Sequence, residues 1–124
     1  MTWLGHERVH LESVDSTSDE VWRRAERGAP HGLVVRADRQ SSGRGRQGRT
    51  WMGADGNLMV SWLLRLDPAP ESISALSIVE GLALARALDA FAPGRIRLKW
   101  PNDLLLDGRT VGGLLRESRS AGGL

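Results

Sequence analysis

The apolar residues of this chain follow two different spacings. Short alternating or continuous apolar runs, which are typical of strands, occur at residues 9–12, 32–38, 57–66, 95–100, 103–107 and 109–116. The clearest of these strands alternates at Leu58, Val60, Trp62 and Leu64. Helical spacing occurs twice, with apolar faces formed by Val21, Trp22 and Ala25 and by Ile73, Leu76, Val79, Leu82 and Ala83. The order strand, helix, two strands, helix, three strands predicts an α+β fold with a mixed, largely antiparallel sheet and helices on one face.

Polar and turn-forming residues set the ends of these elements. Thr17 and Glu20 form a capping-box pattern that begins the first helix, and Gly28 ends it. The segment 67–70, Asp-Pro-Ala-Pro, interrupts the chain before the second helix, which is predicted over residues 72–90. An Asp-Gly pair at 107–108 predicts a hairpin turn between the last two strands.

Composition limits the class of protein. The chain has 124 residues, of which 40% are hydrophobic and 26% charged, and this suits one globular domain or part of a larger one. The net charge of +2 is too small to imply a nucleic-acid partner. No apolar run is long enough for a membrane span, and the lack of a signal-peptide core favours a cytoplasmic protein. With no cysteine, disulfides and thiol nucleophiles are excluded.

The segment 43–49, Gly-Arg-Gly-Arg-Gln-Gly-Arg, is the strongest candidate for chemistry. Glycine lets the backbone approach a ligand closely, and arginine offers a planar fork of donors that suits phosphate or carboxylate. Because three like charges in one loop repel unless an anion relieves them, a binding role is favoured over a solvated basic loop. The segment matches G-x-G-x-x-G, but residues 50–56 do not begin a helix, so a dinucleotide site is rejected.

Residues 99–103, Lys-Trp-Pro-Asn-Asp, form a second candidate segment. The residue before proline is held out of the helical region, so Asn102 and Asp103 can present an amide and a carboxylate into a cleft. A simple turn-forming role for both residues is at least as consistent with the spacing. Gly112-Gly113 within a strand pattern indicates a bulge or the close approach of a ligand.

Several other residues have plain structural interpretations. The three histidines lack metal-binding spacing and are interpreted as surface or packing residues. Trp51 and Trp62 are interpreted as core residues rather than ligand-stacking ones. Ser16 and Thr17 are consistent with a helix cap alone, which is the usual role of such a pair.

Four segments taken together resemble the catalytic domain of biotin–protein ligase. They are residues 13–17 (Ser-Val-Asp-Ser-Thr), 40–51 (Gln-Ser-Ser-Gly-Arg-Gly-Arg-Gln-Gly-Arg-Thr-Trp), 56–58 (Gly-Asn-Leu) and 99–103. Each motif alone is moderately specific, but their occurrence in this order is strongly so. The resemblance covers about residues 9–117 and implies a fold like that of class II synthetases and biotin ligases.

The resemblance also implies a reaction and a set of site residues. The family activates biotin with ATP to biotinyl-5′-AMP and transfers biotin to a lysine of the biotin carboxyl carrier domain of acetyl-CoA carboxylase or another biotin-dependent carboxylase. Mg²⁺ is expected to accompany ATP, and no protein metal site, membrane or nucleic-acid partner is expected. The implied biotin-binding residues are Ser16, Thr17, Ser18, Gln40, Arg44, Gly45, Arg46, Trp51, Thr110, Gly112 and Gly113. The implied ATP-binding residues are Arg46, Arg49, Asn102 and Asp103, and the implied catalytic residues are Arg44, Arg46 and Arg49.

The sequence departs from the family pattern in three ways. Ser18 replaces the usual asparagine, and Thr110 stands where the family carries an essential lysine. Threonine cannot supply a positive charge to a carboxylate or phosphate. The family continues with a further strand and a C-terminal β domain, and both are expected to be absent here, as is an N-terminal DNA-binding domain. Residues 1–124 are therefore expected to be a partial catalytic domain whose unpaired strand edge favours a homodimer.

Three alternatives to an active ligase stay open. Thr110 and the early stop favour a non-catalytic fragment that keeps a weak biotin or nucleotide pocket. A lipoyl or octanoyl transferase of the same fold is disfavoured by the arginine–glycine and Lys-Trp-Pro-Asn-Asp segments. A nucleic-acid binder is more distant still, since an arginine–glycine tail would be repetitive, and strongly salt-dependent affinity without biotin binding would identify it.

Overall fold

The computed structural model describes residues 4–66 and 73–119. The helices and strands are β1 (Arg8–Val14), α1 (Thr17–Glu26), β2 (Val34–Gln40), β3 (Met59–Trp62), α2 (Ile73–Asp89), β4 (Ile96–Lys99), β5 (Asp103–Leu106) and β6 (Arg109–Gly113). This order confirms the predicted sequence of elements and the α+β class. The interruption predicted at 67–70 and the tail at 120–124 lie outside the described residues.

The chain divides into two compact units, an N-terminal unit of residues 1–68 and a C-terminal unit of residues 69–124. The described strands form two three-stranded sheets, with the orders β1-β2-β3 and β4-β5-β6. Strands β1 and β2 are parallel, and the other described pairs are antiparallel. This arrangement confirms the mixed, largely antiparallel character predicted for the strands.

In the N-terminal unit, α1 is the crossover between two parallel strands. Parallel strands need such a crossover because their ends lie at opposite sides of the sheet. Helix α1 packs against β2 and β3, and Val21 joins Leu33, Val35 and Leu63 in a small buried core. Because Val14 pairs with Gln40 at the carboxyl ends of β1 and β2, the start of α1 lies beside the end of β2. The site is built at this edge.

In the C-terminal unit, α2 packs against β4 and β5. The β5–β6 hairpin turns at Asp107 and Gly108, whose φ angles are 52° and 82°. Two successive positive φ angles are what a tight hairpin turn requires, so the predicted turn is confirmed. The ladder between β5 and β6 slips between Leu104 and Leu105, opposite Thr110 and Gly112. This bulge confirms one of the two interpretations of the glycine pair.

Two expectations about packing, those for Trp51 and Trp62, are wrong, and the buried face of β3 differs from its alternating apolar set. Met59 of β3 and Leu63, which follows the strand, are buried, each 6% exposed, whereas Leu58 and Trp62 of the alternating apolar set are exposed. Apolar residues lie on both faces of the segment 58–63, so alternation alone does not choose the buried face. Trp51 and Trp62 are exposed residues of the described chain, not core residues.

The strand predicted to run to residue 116 ends at Gly113. The backbone of Leu114 instead forms two hydrogen bonds with Asn102. The Leu114 N–H donates to the Asn102 backbone carbonyl at 2.8 Å, and the Leu114 carbonyl accepts from the Asn102 side-chain Nδ2 at 2.8 Å. These contacts replace the ladder bonds that a longer strand would make. Helix α2 is confirmed, but Val79 and Leu82 on its predicted apolar face are exposed in the described chain.

Candidate active site

Ser16 begins α1 as its N-cap. Its backbone is extended, and its Oγ accepts a hydrogen bond from the Asp19 N–H at 3.2 Å. Ser16 and Thr17 are both buried. The capping pattern therefore lies one residue earlier than the predicted Thr17–Glu20 pair, and the interpretation of Ser16 as a helix cap is confirmed.

Three hydroxyl groups and one amide meet beside this cap, and we call them the hydroxyl cluster: Thr17, Ser18, Gln40 and Ser61. The Ser61 Oγ lies 2.7 Å from Thr17 Oγ1 and 3.1 Å from Ser18 Oγ. The Thr17 N–H donates to Gln40 Oε1 at 2.8 Å. Hydroxyls and amides both donate and accept, so the cluster can recognise a small polar ring with neighbouring N–H and C=O groups.

Sequence reasoning missed Ser61. It occupies the inward-facing position of β3 between two buried residues, Met59 and Leu63. A polar residue at an inward position of a strand requires a hydrogen-bonding partner, and that signal is present in the sequence once the buried face of β3 is known.

The arginine–glycine segment is a small hairpin rather than an open loop, and we call residues 43–51 the arginine hairpin. Its bonds run from the Gly45 N–H to the Arg49 carbonyl at 2.7 Å and from the Trp51 N–H to the Gly43 carbonyl at 2.9 Å. Arg44 and Thr50 form an antiparallel bridge between its two sides. Its tip turns at Gln47 and Gly48, which both have positive φ angles.

The three arginines of this hairpin have different surroundings. Arg44 is partly buried and forms an ion pair with Asp19 of α1. Arg46 and Arg49 are exposed, and neither has a carboxylate partner among residues 4–66 and 73–119. Two guanidinium groups are thus available to an anion beside the hydroxyl cluster. Trp51 ends the hairpin with its side chain 41% exposed.

Charged groups on α1 fix the start of the helix. Arg23 donates to both carboxylate oxygens of Asp15, at 2.7 and 2.9 Å, and Arg23 and Arg24 both donate to Glu20. Burial raises the pKa of Glu20, but the hydrogen bonds from Arg24 and Arg23 outweigh it, so the net pKa is lowered. The Arg23 guanidinium and the Ser16 N–H lower the pKa of Asp15 to about 2.

Acid is expected to weaken the fold through Asp15 between about pH 4 and pH 2. Because the folded pKa of Asp15 lies below its ordinary value of 3.8, its carboxylate stabilises the fold above pH 4, and this contribution is lost as the pH falls through 2. The contribution is small because the ion pair is partly exposed. Urea unfolding at several pH values should show a shallower acid limb for Asp15→Asn than for the wild type, and identical limbs would contradict the assignment.

The predicted site residues of the C-terminal unit lie along the β5–β6 hairpin. Asn102 has the structural role described above, because its side-chain amide bonds the Leu114 carbonyl. Asp103 begins β5 and is half-buried, and Thr110 on β6 is exposed. A Cβ atom on Gly112 would lie 3.5 Å from Leu104 Cδ1, an ordinary contact, so packing alone does not require glycine there.

The structure brings the predicted residues of each unit together. In the N-terminal unit, Ser16, Thr17, Ser18 and Gln40 meet at the start of α1, and Asp19 connects this edge to the arginine hairpin, which carries Arg44, Gly45, Arg46, Arg49 and Trp51. In the C-terminal unit, Asn102, Asp103, Thr110, Gly112 and Gly113 share one hairpin, with Asp103 paired to Gly113 and Leu104 to Gly112.

A family model identifies the chain. The model of the Biotin/lipoate A/B protein ligase family matches residues 10–124. The chain belongs to this family. The match confirms the family resemblance that the four motifs indicated. The matched residues include the hydroxyl cluster, the arginine hairpin and the β5–β6 hairpin.

Several proteins that are similar to this chain are biotin ligases. It is 40% identical over 114 residues to the biotin–[acetyl-CoA-carboxylase] ligase of Paracoccus denitrificans, covering 90% of this chain and 47% of that protein. The biotin protein ligase from Aquifex aeolicus, solved in complex with biotin and ATP, superposes with a TM-score of 0.80 at 37% identity, over 91% of this chain and 47% of that one. The Leishmania major enzyme, solved in complex with biotinyl-5-AMP, has a TM-score of 0.81 at 29% identity, over 92% and 53% of the two chains.

The chain spans between about a quarter and a half of the length of the curated relatives it matches. No helix of the described residues combines the length and the apolar character needed to cross a membrane.

Proposed function

We propose that this chain carries the biotin- and ATP-binding part of a biotin–protein ligase. In the first half-reaction a biotin carboxylate oxygen attacks the α-phosphorus of ATP, pyrophosphate leaves and biotinyl-5′-AMP forms. In the second, the amine of a carrier lysine attacks the carbonyl carbon, an amide bond forms and AMP leaves. The observation that carries the proposal is the pairing of a polar cluster for a small ring with two exposed guanidinium groups on the adjacent arginine hairpin.

The hydroxyl cluster is the proposed site of the biotin ureido ring. A ureido ring has one carbonyl oxygen and two N–H groups, so it needs donors and acceptors close together. Thr17 and Ser18 offer hydroxyl groups of either polarity, and Gln40 keeps its side-chain NH₂ as a donor because its Oε1 is used by the Thr17 N–H. Ser16 contributes through the helix cap that orients its neighbours. Trp51 forms an apolar wall for the ring system.

The arginine hairpin is the proposed site of the carboxylate and the phosphates. Negative charge accumulates there in the transition state, when the carboxylate and the α-phosphate come together. Fixed cations aimed at developing charge lower the barrier most, because they need no rearrangement during the reaction. We assign this role to Arg46 and Arg49, with Arg44 holding the hairpin backbone and Gly45 letting that backbone approach the ligand.

The proposed ATP-binding residues of the C-terminal unit are Asn102 and Asp103. Among residues 4–66 and 73–119, no group of three His, Asp or Glu side chains could hold a metal ion. Mg²⁺ that is held chiefly by substrate phosphates needs only one or two protein carboxylates, and we assign Asp103 as such a ligand. When bound, Mg²⁺ neutralises phosphate charge. Gly112 and Gly113 are proposed to contact biotin through their backbone atoms.

The proposed acceptor is a lysine of the biotin carboxyl carrier domain of acetyl-CoA carboxylase or another biotin-dependent carboxylase. The support is the likeness to the Paracoccus denitrificans ligase, whose name gives that carboxylase. We further propose that the chain is part of a catalytic domain, that it acts in the cytoplasm, where ATP is supplied, and that it forms a homodimer through a free strand edge.

Calorimetric titration of the purified chain with biotin, with and without Mg-ATP, tests the proposed function. Biotin binding that Mg-ATP strengthens supports the proposal, because the binding of the two substrates is then energetically coupled. Titration with lipoate separates the biotin activity from that of the lipoate branch of the family. A folded chain that binds neither biotin nor ATP would contradict the proposal.

Replacing Thr110 with lysine is expected to raise biotin-dependent adenylate formation about tenfold, because it adds a cation at the position where the family carries one. Thr110 is exposed on β6, so lysine fits without disturbing the core. The rate of biotin-dependent exchange of pyrophosphate into ATP measures the effect. Ser118→Lys adds the same charge at another exposed position and should have no effect. An unchanged rate in Thr110→Lys would show that this position does not limit the reaction.

A further inference from the structure

The first turn of α1 carries acidic residues with different partners. Asp15, which precedes the N-cap, binds Arg23, and Glu20 in the first turn binds Arg23 and Arg24. Asp19 differs, because its partner is Arg44, which lies 25 residues further along the chain in the arginine hairpin. The ion pair therefore joins the hairpin to the helix that carries Thr17 and Ser18 of the hydroxyl cluster.

The capping arrangement explains why Asp19 is available for this contact. In a capping box, a Glu or Gln three positions after the N-cap reaches back to the N–H of the capping residue. Here the Ser16 N–H donates to Asp15 Oδ1 at 2.7 Å instead. The Asp19 backbone N–H still donates to Ser16 Oγ, so its main chain completes the cap while its carboxylate binds Arg44.

We infer that Asp19 is a positioning residue that holds Arg44, and with it the arginine hairpin, against the first turn of α1 before ligand arrives. The hydrogen bonds within the hairpin, such as those that the Gly45 and Trp51 N–H groups donate, set the shape of the hairpin. They do not set its distance from α1. The Ser42 N–H donates to the Asp15 carbonyl at 2.7 Å and anchors the base of the hairpin, and the Asp19–Arg44 ion pair is a side-chain contact that holds the hairpin beyond this base. The identity of the anion that the hairpin receives rests on the proposed function, whereas the ion pair does not.

The ion pair also divides the charge of the hairpin. Asp19 neutralises Arg44, so the positive charge offered to a ligand is that of Arg46 and Arg49. A hairpin that is already closed binds more tightly than one that must close on binding, because the apparent affinity falls in proportion to the closed fraction. Asp19 thus acts on affinity through Arg44 without touching the ligand.

Hydrogen–deuterium exchange of residues 43–51 in the ligand-free chain tests the inference. Asp19→Asn is expected to speed exchange of the Gly45, Arg49 and Trp51 amides about two- to fivefold, the range that a partly exposed ion pair contributes. Asp19→Glu should restore most of the protection. Asp38→Asn is the matched control, because it removes the exposed His10–Asp38 pair of the same unit and should leave these amides unchanged.

Salt provides a second readout. Raising ionic strength should speed exchange of the same amides in the wild type and have little effect in Asp19→Asn, because the screened interaction is already gone. Unchanged exchange in Asp19→Asn, or an equal change in Asp38→Asn, would overturn the inference. A loss of melting temperature without faster exchange in residues 43–51 would also overturn it, since it would assign Asp19 to helix capping alone.

Biotin titration of the same variants connects this inference to the proposed function. Affinity should fall in Asp19→Asn by no more than the factor seen in exchange, and Asp19→Glu should recover it. If the wild type binds no biotin, the proposed function fails, and the exchange experiment still decides the role of Asp19. If biotin binds and exchange in residues 43–51 does not respond to Asp19→Asn, the inference alone fails.

Discussion

Replacing Arg46 with alanine is expected to abolish adenylate formation while leaving the fold intact. Arg46 is exposed, and among the described residues it has no carboxylate partner, so its removal breaks no ion pair of the described chain. Its proposed role is to stabilise negative charge that develops between the biotin carboxylate and the α-phosphate. Removing one fixed donor of this kind typically lowers the rate by about 10²- to 10³-fold. Biotin-dependent exchange of pyrophosphate into ATP measures the loss, and thermal unfolding checks the fold.

Two variants make the Arg46 experiment specific. Arg36→Ala removes an equally exposed arginine from β2 of the same unit and should leave the exchange rate unchanged. Arg46→Lys keeps the charge but loses the planar fork of donors, so an intermediate rate would indicate that bidentate geometry contributes. Full activity in Arg46→Ala would remove this residue from the proposed mechanism.

The order of the elements was predictable because local signals mark most of their ends. Ser16 and Gly28 bracket α1, and the Asp-Gly pair at 107–108 has the two positive φ angles that its sequence predicts. Such signals depend on neighbouring residues, so a single sequence contains them. The face that each element buries depends on what packs against it. Apolar residues occur on both faces of the segment 58–63, and its alternation therefore did not distinguish Met59 from Leu58.

The candidate site was predictable to the same extent. Its arginines and glycines were found because they cluster within one short segment with an unusual composition. Ser61 and Asp19 were not found, because each acts through a distant partner: Ser61 contacts Thr17 across 44 residues, and Asp19 contacts Arg44 across 25. A lone serine in a strand and an acidic residue in the first turn of a helix are common. Their roles become visible only when the parallel pair of β1 and β2 brings the segments together.

Replacing Gly43 with alanine is expected to disrupt the arginine hairpin. A Cβ atom at Gly43 would lie 2.6 Å from the Trp51 carbonyl oxygen and 2.8 Å from Gln40 Nε2. Real Cβ atoms do not approach so closely, and the first of these neighbours is backbone, which cannot turn aside. The Gly43 carbonyl accepts from the Trp51 N–H at 2.9 Å, so moving either strand of the hairpin breaks this bond. Gly43 has no positive φ angle, and the requirement for glycine is therefore one of space.

Gly53→Ala is the matched control for Gly43→Ala, because the two glycines have similar clearances but different neighbours. A Cβ atom at Gly53 would lie 2.7 Å from the Met59 sulfur, which belongs to a flexible side chain that can change rotamer. Gly43→Ala should cost about 1–3 kcal/mol in urea unfolding, as overpacking against a fixed group does, and should lower biotin affinity at least about tenfold because Gln40 is displaced as well. Gly53→Ala should cost less than about 1 kcal/mol and leave affinity unchanged. Equal effects of the two substitutions would mean that the hairpin can shift away from α1 without loss, and the hairpin would then not be a preformed anion site.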